Sequence, residues 1–331
     1  MQKELALIIL NWNGSEDTIE CLDSLVSSDK SVDIVILDNA SKPEQLKILE
    51  SNLESRHKDY ISVDAEDFGK DVINDEVGLY LVKSKTNLGF AAGNNFIAEK
   101  ICEKYQYVLL LNNDTIVPQD SIQSMLDTIV KHKLVAVTCD IRYNYDRSVL
   151  WNAGGKFKWY GDRKYFSQKK IDRLKSKGVT FIKAQYITGC ALMIDCEYIR
   201  KYKLFTDKFF HGEEDYNLCF RLKKHGYAVG VDLSVQIYHK VGQSIKRNDD
   251  GTKVLKSSIV HYLNRIIDYK EFYGKSRWKM WRTFYIALVV MKRRLSGFTH
   301  RQVKLLKHKL YYYSNNFENV KWEVFSEIMN G

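Results

Sequence analysis

The amino-acid sequence predicts an α/β protein whose helices flank a mostly parallel, Rossmann-like central sheet. Short apolar runs alternate with segments of helical spacing, which is typical of doubly wound sheets. Polar residues directly follow several of these runs, and ligands of such sheets bind beyond the carboxyl ends of the strands. From about residue 255 onward the spacing is helical, which predicts a C-terminal helical extension.

The composition is that of a folded protein with an anionic partner. Of the 331 residues, 45% are hydrophobic and 28% are charged, which excludes a disordered chain. Six scattered cysteines without a CxxC pair predict reduced thiols in a cytoplasmic protein. The apolar runs are too short for a spanning helix, so we expect a soluble or peripheral protein. A net charge of +10 predicts an anionic partner: a membrane surface, a nucleic acid or a phosphorylated substrate.

The first two predicted strands both end in polar side chains. Leu5–Leu10 runs into the segment NWNG, and Ile34–Leu37 is followed by the segment DNAS. A segment of helical spacing follows each of them, as expected for two successive strand–helix units. The polar residues concerned are Asn11, Asn13, Asp38 and Asn39.

The same alternation continues through the next hundred residues, with two interruptions. Residues 54–77 are polar and irregular, and we interpret them as a surface insertion. Residues 141–185 are basic and aromatic and break the rhythm a second time. Strands are predicted at Leu79–Val82, Tyr107–Leu111, Leu134–Thr138, 189–195, 227–231 and 235–239, and helices at Ala91–Glu103, 119–132, 196–203 and 214–225.

The segment LLLNNDT places Asn112, Asn113 and Asp114 directly after a buried strand. One interpretation is local, because Asn and Asp often form Asx turns or cap the helix that follows. The other is a metal site, because a carboxylate at a strand end can hold Mg²⁺ together with the phosphates of a ligand. Taken alone, the three residues favour the turn.

The segment HGEEDYN begins a predicted helix with Glu213, Glu214 and Asp215. Acidic side chains in a first turn complement the helix dipole, which is the simpler interpretation. Three consecutive carboxylates nevertheless repel one another. They are easier to explain beside a cation, or as a site whose acidity is tuned.

Two weaker signals complete the candidate site. His239 follows an apolar strand and precedes a predicted turn at Gly242 and Ser244; it is either a structural histidine or a metal ligand. The glycine-containing loop NLGFAAGNN leads into a helix, where backbone amides can meet a phosphate or a sugar. This loop lacks the GxGxxG spacing of dinucleotide sites, and no GxxxxGK[ST] motif is present. Its candidate binding residues are Asn87, Gly89, Asn94 and Asn95.

The order of these motifs resembles that of family 2 glycosyltransferases of the rhamnosyltransferase-like group. Seven segments carry the resemblance over about residues 4–245: ILNWNG, ILDNAS, NLGFAAGNN, LLLNNDT, ITGCALMID, FFHGEEDYNLCFR and YHKVGQS. The resemblance implies a GT-A-type nucleotide-sugar-binding fold. It also implies inverting transfer of a sugar from a nucleoside diphosphate, such as a UDP- or dTDP-sugar, to an acceptor hydroxyl. We therefore expect a catalytic domain over residues 1–250 and a helical subdomain over residues 251–331.

The resemblance also assigns roles to individual residues. It implies that Asp114 and His239 bind a divalent metal, Mg²⁺ or Mn²⁺. It makes Asp215 the general base within the Glu214–Asp215 pair, and it implies that Asp38 contacts the nucleoside. Where the family has a further acid, this sequence has Asn217. Donor-binding residues are expected among Asn11, Asn13, Asp38, Asn39, Asn87, Gly89, Asn94, Asn95, Asn112 and Asn113.

The C-terminal segment interleaves Lys and Arg with Trp, Tyr and Phe. It is interpreted either as a helical subdomain that packs on the catalytic domain, or as an amphipathic surface that touches an anionic membrane. The second interpretation suits a lipid-linked glycan acceptor, a role in surface-polysaccharide assembly and a position on the inner face of the cell membrane. No recognised nucleic-acid module is visible, so we expect no nucleic-acid partner.

Two other functions compete with sugar transfer. The departures at Asn112 and Asn217 are compatible with a catalytically silent scaffold or partner subunit that binds a sugar nucleotide. A nicotinamide-dependent dehydrogenase is the more distant alternative, and the missing GxGxxG motif argues against it.

Overall fold

A computed structural model describes residues 2–26, 32–56, 59–74, 76–241 and 252–330. The strands in this part of the chain are β1 (Lys3–Asn11), β2 (Asp33–Asn39), β3 (Tyr60–Asp64), β4 (Leu79–Ser84), β5 (Tyr105–Asn112), β6 (Thr115–Ile116), β7 (Ala136–Tyr143), β8 (Leu150–Asn152), β9 (Gly155–Phe157), β10 (Arg163–Tyr165), β11 (Phe181–Ala184), β12 (Ala191–Asp195) and β13 (Val229–His239). The helices are α1 (Ser15–Val26), α2 (Pro43–Arg56), α3 (Gly89–Ile101), α4 (Ser121–Lys131), α5 (Gln168–Lys175), α6 (Cys196–Tyr202), α7 (Glu214–Lys224), α8 (Thr252–Tyr273), α9 (Lys275–Leu295), α10 (His300–Asn316) and α11 (Trp322–Asn330).

The central sheet is mostly parallel, as the sequence predicts. Its main path runs β11-β13-β7-β12-β5-β1-β2-β4-β3, with β6 added to β13 and β8 added to β7. The half from β5 to β3 is parallel throughout, and β7 and β13 are also parallel to each other. Strand β12 is antiparallel to both of its neighbours and joins the two halves.

Strand β1 shows why the apolar runs become buried strands. Leu5, Leu7 and Ile9 pack into the core on one face of the sheet, and Ala6 and Ile8 pack into the core on the other. Successive side chains of a strand point to opposite faces, so a continuous apolar run fits a strand that is covered on both sides.

Two predictions about the elements were wrong. Residues 54–77 are not a surface insertion, because β3 forms the edge of the sheet and Phe68 and Ile73 are buried in the core. Because this edge strand is polar and half exposed, its sequence lacks the apolar run that predicted the other strands. The strands predicted at 227–231 and 235–239 are not separate, because residues 229–239 form the single strand β13, whose register shifts between Asp232 and Gln236. Buried Asp232 accepts hydrogen bonds from Ser124, Thr128 and Ser234 at this irregularity.

The C-terminal helices pack against the same core as the sheet. Leu263 of α8, Tyr285 of α9 and Leu310 of α10 belong to one apolar cluster with Ala6 and Ile8 of β1. The six cysteines are all buried and free. In the described part of the chain, none of the helices combines the length and the apolar character that crossing a membrane requires.

Gly89, the first residue of α3, is fixed by a close approach of two loops. Its φ of +79° lies in the left-handed region, and a Cβ at this position would stand 2.6 Å from the carbonyl oxygen of Phe210. Only glycine combines that backbone angle with so short a contact. The loop before α3 is thereby held against the segment that leads into α7.

We expect Gly89→Ala to destabilise the fold by on the order of 3 kcal/mol or more, because it adds a steric clash to the strained backbone angle. Gly178→Ala is the matched control: Gly178 has a φ of +73°, but nothing lies within 4 Å of an added Cβ. The control should lose about 1–2 kcal/mol. Urea denaturation measures both changes, and equal losses would contradict the close approach.

Candidate active site

The polar residues at the carboxyl ends of β1, β2 and β5 meet at one edge of the sheet. Strand register places Asn11 beside Asp38 on one side, and Asn112 lies opposite Leu10 on the other. The sequence-based expectation that these residues come together is therefore confirmed.

Asn11, Asn13 and Asp38 build the first wall of this edge. Asn11 Nδ2 donates to Asp38 Oδ1 at 2.8 Å, and the Ser41 amide donates to Asp38 Oδ2 at 3.1 Å. The Lys42 amide donates to Asn13 Oδ1 at 2.8 Å. Asp38 is buried, and protein donors contact both of its carboxylate oxygens, so it shapes the loop in which we predict nucleoside binding.

Asn39, Asn87 and Gly89 connect the second strand end to the loop before α3. Asn39 Oδ1 accepts from the Leu88 amide at 2.8 Å, and Asn39 Nδ2 donates to Asn87 Oδ1 at 3.1 Å. Asn87 Oδ1 also accepts from the Gly89 amide at 2.8 Å. This network fixes the loop conformation.

Asn94 and Asn95 lie side by side on α3 but have different surroundings. Asn94 lines the crevice at the sheet edge and donates to the Phe90 carbonyl at 2.9 Å. Asn95 accepts from the Phe205 amide at 2.8 Å and donates to the Phe205 carbonyl at 3.0 Å. Those two bonds account for Asn95 without a ligand.

Asn112 and Asn113 line a crevice of ≈ 140 Å³ at the end of β5. Asn113 Nδ2 donates to the Gly14 carbonyl at 3.2 Å and to Thr18 Oγ1 at 3.0 Å, so this side chain is held by the loop after β1 and by the first turn of α1. The remaining lining residues are Leu10, Phe90, Asn94, Leu110, Leu111 and Gly189.

Asp114 and His239 face each other across the pairing of β6 with β13. Asp114 Oδ1 lies 2.9 Å from His239 Nε2. Helix α4 begins only at Ser121, so the interpretation of Asn113 and Asp114 as its cap is wrong. The ring of Trp151 packs edge-on against the imidazole, 4.5 Å away. The predicted turn residues Gly242 and Ser244 lie outside the described residues.

The Asp114–His239 pair fits a divalent cation that shares its coordination with a ligand. Carboxylate oxygen and imidazole nitrogen are both suitable donors, and His239 Nδ1 is buried without a hydrogen-bond partner among the described atoms. No group of three His, Cys, Asp or Glu side chains within the described ranges could hold a metal ion. A cation here needs further ligands, and diphosphate oxygens and water supply them in many magnesium sites.

Glu213 is the most strongly paired of the three consecutive carboxylates. Arg265 donates to it through Nε and Nη2, both at 2.8 Å, and Arg163 Nη2 lies 3.0 Å from Oε1. Burial alone would raise the pKa of Glu213, but the two guanidinium groups lower it below its ordinary value. The cation predicted beside the acidic turn of residues 213–215 is therefore, at Glu213, a pair of arginine side chains.

Glu214 has the opposite electrostatic state. Burial, together with repulsion from Asp215, raises its pKa to about 8. Its Oε2 is buried and has no hydrogen-bond partner among the described residues. The carboxyl group is therefore mostly protonated at neutral pH, as predicted for a site whose acidity is tuned.

Asp215 is the acid that a ligand can reach, since its side chain is 18% exposed and that of Glu213 only 1%. Tyr186 donates its hydroxyl to Asp215 Oδ2 at 2.7 Å, and Arg163 Nη2 lies 3.2 Å from Oδ1. The amide of Gly189, which lines the crevice, approaches Oδ2 to 3.5 Å. Asp215 is thus oriented from two sides and lies beside the crevice.

Sequence reasoning missed Arg163, Tyr186 and Arg265. Arg163 lies in the basic, aromatic stretch that interrupts the strand–helix rhythm, and that composition was the available signal. Arg265 lies 52 residues after Glu213 inside α8, where no local pattern indicates its partner. Asn217, at the position where the resemblance implies a further acid, is buried and donates to Asp268 of α8.

We expect Glu214→Gln to flatten the pH dependence of stability. Between pH 4.5 and about 8 the folded protein keeps a proton on Glu214 that the unfolded chain releases. The wild-type free energy of unfolding therefore falls as pH rises in this window, by up to about 1.4 kcal/mol per pH unit. Urea titrations at several pH values measure the slope, and Glu44→Gln, at an exposed first turn, should leave it unchanged. Identical slopes in the wild type and Glu214→Gln would contradict the buried neutral carboxyl.

Two solved structures share the fold at low sequence identity. GalNAc-T7 with UDP, GalNAc and Mn²⁺ superposes with a TM-score of 0.63 at 13% identity, covering 98% of this chain and 56% of that chain. This chain therefore spans about half the length of that protein. Mannosyltransferase PcManGT from Pyrobaculum calidifontis, in complex with GDP-Man and Mn²⁺, has a TM-score of 0.54 at 11% identity and covers 99% and 86%. At these identities the likeness concerns the fold, and it confirms the predicted GT-A-type architecture.

The sequence itself identifies the family. No curated protein matches the chain. Residues 6–203 match the family described as Glycosyl transferase family 2. This match covers more than half of the 331 residues and contains the strand-end motifs, including Asp38 and Asp114. The chain therefore belongs to glycosyl transferase family 2.

Proposed function

We propose that the protein is an inverting, metal-dependent glycosyltransferase. It moves a sugar from a nucleoside-diphosphate donor to a hydroxyl of a glycan or lipid-linked glycan in surface-polysaccharide assembly. The observation that carries the proposal is the position of one crevice between the Asp114 and Asp215 carboxylates. Asn112 and Asn113 line it and lead to Asp114, while Gly189 lines it and contacts Asp215.

The donor end of the proposed site comprises the wall built by Asn11, Asn13 and Asp38 and the pair Asp114–His239. Asp114 and His239 would hold the divalent cation, which when bound offsets the negative charge on the leaving nucleoside diphosphate. The two solved structures with this fold contain UDP or GDP-Man together with Mn²⁺, which supports a nucleotide-sugar donor and a divalent metal. UDP-, dTDP- and GDP-sugars, with rhamnose among the sugars, form the donor set to be tested.

At the acceptor end, Asp215 accepts the proton of the attacking hydroxyl. The acceptor oxygen forms a bond to the anomeric carbon, and the bond from that carbon to the diphosphate oxygen breaks with its electron pair leaving on the diphosphate. Arg163 and Tyr186 donate to the Asp215 carboxylate and fix its orientation. A positioned general base contributes about 10²–10⁴-fold to the rate.

Glu214 supports this chemistry by remaining neutral. A second negative charge next to Asp215 would disfavour the ionised base, and burial of Glu214 prevents that charge near neutral pH. The proposal therefore assigns proton transfer to Asp215 and an electrostatic role to Glu214.

We expect a nucleoside diphosphate with Mn²⁺ to raise the melting temperature, and we expect Asp114→Ala to abolish that shift. Asp215→Asn should retain the shift but reduce transfer by about 10²–10⁴-fold, since it keeps the shape and removes the base. Melting curves measure binding, and release of the nucleoside diphosphate across the donor panel measures transfer. Normal turnover of Asp215→Asn would contradict the base assignment. Binding without release of nucleoside diphosphate for any donor would favour the catalytically silent scaffold.

Tyr186→Phe tests how Asp215 is oriented. The change keeps the ring that packs against Arg163 at 4.7 Å and removes only the hydroxyl donor. Loss of this donor leaves the Asp215 carboxylate less firmly oriented, so kcat should fall by about tenfold while KM changes little. Tyr198→Phe is the control, because the hydroxyl of Tyr198 contacts Arg221 instead. An unchanged kcat in Tyr186→Phe would remove Tyr186 from the proposed mechanism.

A further inference from the structure

The helical hairpin of α9 and α10 has a one-sided charge. Residues 274–317 contain eleven Lys or Arg and no Asp or Glu. Seven of these basic side chains are exposed, at both ends of α9 and along α10. This segment alone carries more positive charge than the net +10 of the whole chain. Such a surface attracts anions that come within about one Debye length, because salt screens the charge at longer distances.

Helix α9 also exposes a continuous apolar stripe. Met280, Phe284, Ala287, Met291 and Leu295 are all exposed. At 100° per residue these five positions fall within an arc of about 80°. The opposite side of the helix is buried against the protein core through residues such as Trp278 and Tyr285. Helix α9 is therefore apolar both toward the core and toward the outside.

The stripe continues into a groove between α9 and α10. Met291 and Leu295 line this groove from α9, and Val303 and Tyr311 line it from α10. Its volume is ≈ 530 Å³. Arg294 and Lys307 also line it, so apolar surface and positive charge occur at the same place.

The turn between β9 and β10 extends this surface. Trp159 is 82% exposed, and its ring lies 5.8 Å from that of Phe284. Tryptophan is enriched where protein meets the interface of a bilayer, because its ring is apolar and its N–H is polar. The turn is attached to α9, since Trp281 Nε1 donates to the Tyr160 carbonyl at 3.1 Å and Lys292 Nζ donates to Asp162 at 2.7 Å.

We propose that the α9–α10 hairpin and Trp159 form a docking surface for a bilayer that contains anionic lipids. A nucleic acid would neutralise the basic residues but would leave the stripe of Met280, Phe284, Met291 and Leu295 in water. A bilayer accommodates both the basic residues and the apolar stripe, because its headgroups contact Lys and Arg while its interface takes up the apolar side chains. Two kinds of contact together give stable attachment where either alone is weak.

The docking surface lies close to the proposed catalytic base. Arg163 follows Trp159 by four positions, which is at most about 14 Å of chain, and Arg163 contacts Asp215. The docking surface delivers lipid-linked acceptors to Asp215, a step that rests on the proposed transfer reaction. Binding to a bilayer does not depend on that reaction and is tested without donor or acceptor.

The test is co-flotation of the full chain with vesicles of phosphatidylcholine alone or with added phosphatidylglycerol. We expect binding to the anionic vesicles only, weakened by salt. Phe284→Ser/Leu295→Ser should lower vesicle affinity about tenfold or more, since it removes buried apolar area. Lys304→Ala/Lys307→Ala should lower it about fivefold for each charge removed.

Matched controls lie at exposed sites on other helices. Ile48→Ser/Val130→Ser removes exposed apolar side chains from α2 and α4, and Lys47→Ala/Lys131→Ala removes charges there. These variants should bind vesicles like the wild type. All variants should keep the wild-type melting temperature, because the changed side chains are exposed.

Three outcomes would overturn the proposal. Equal binding to neutral and anionic vesicles, or none to either, would exclude an anionic bilayer. Dimerisation that Phe284→Ser/Leu295→Ser abolishes would assign the stripe to a second copy of the chain. Preference for a nucleic acid over anionic vesicles in competition would assign the basic surface to that polymer. If vesicles bind but no donor is turned over, the proposed reaction fails and the docking surface stands.

Discussion

The buried ion pair between Glu213 and Arg265 is the constraint on which the proposed site depends. Both side chains are almost completely buried, and the guanidinium binds the carboxylate through two nitrogens. Removing one partner of such a pair leaves a buried charge uncompensated, which costs about 3–5 kcal/mol. Glu213 has a φ of +70° directly before α7, so the pair also holds the turn in an unfavourable backbone conformation. Helix α8 therefore supports the acidic turn of the proposed site.

Three consecutive acids can coexist here because each has a different environment. Glu213 is an anion between two arginines, Glu214 is a buried acid with a pKa of about 8, and Asp215 is partly exposed and oriented by donors. Repulsion among three anions in a row would be large in a medium of low polarity. Neutralising one and pairing another leaves Asp215 as the carboxylate that is both partly exposed and held by donors.

The sequence predicts this sheet and its polar edge well, because buried parallel strands carry a local, continuous apolar signal. It fails at β3, where an edge strand is half exposed and its composition resembles that of a loop. The residues of the candidate site also differ in whether local sequence predicts them. Asp114 and Asp215 belong to motifs that can be read locally, whereas Arg163 and Arg265 acquire their partners through tertiary contacts across about fifty residues. Spacing along the chain carries no information about such contacts.

The turn between β9 and β10 links the proposed docking surface to the acidic turn by direct contacts. Asp162 accepts from Lys292 of α9 through one oxygen and from Arg265 of α8 through the other, and the next residue, Arg163, contacts both Glu213 and Asp215. Burial would raise the pKa of Asp162, but these two cations lower it, so Asp162 remains an anion that joins the helices. A protein held on a bilayer through α9 and Trp159 would therefore present Asp215 in a fixed orientation to that surface. This geometry suits an acceptor whose lipid stays in the bilayer while its glycan enters the crevice.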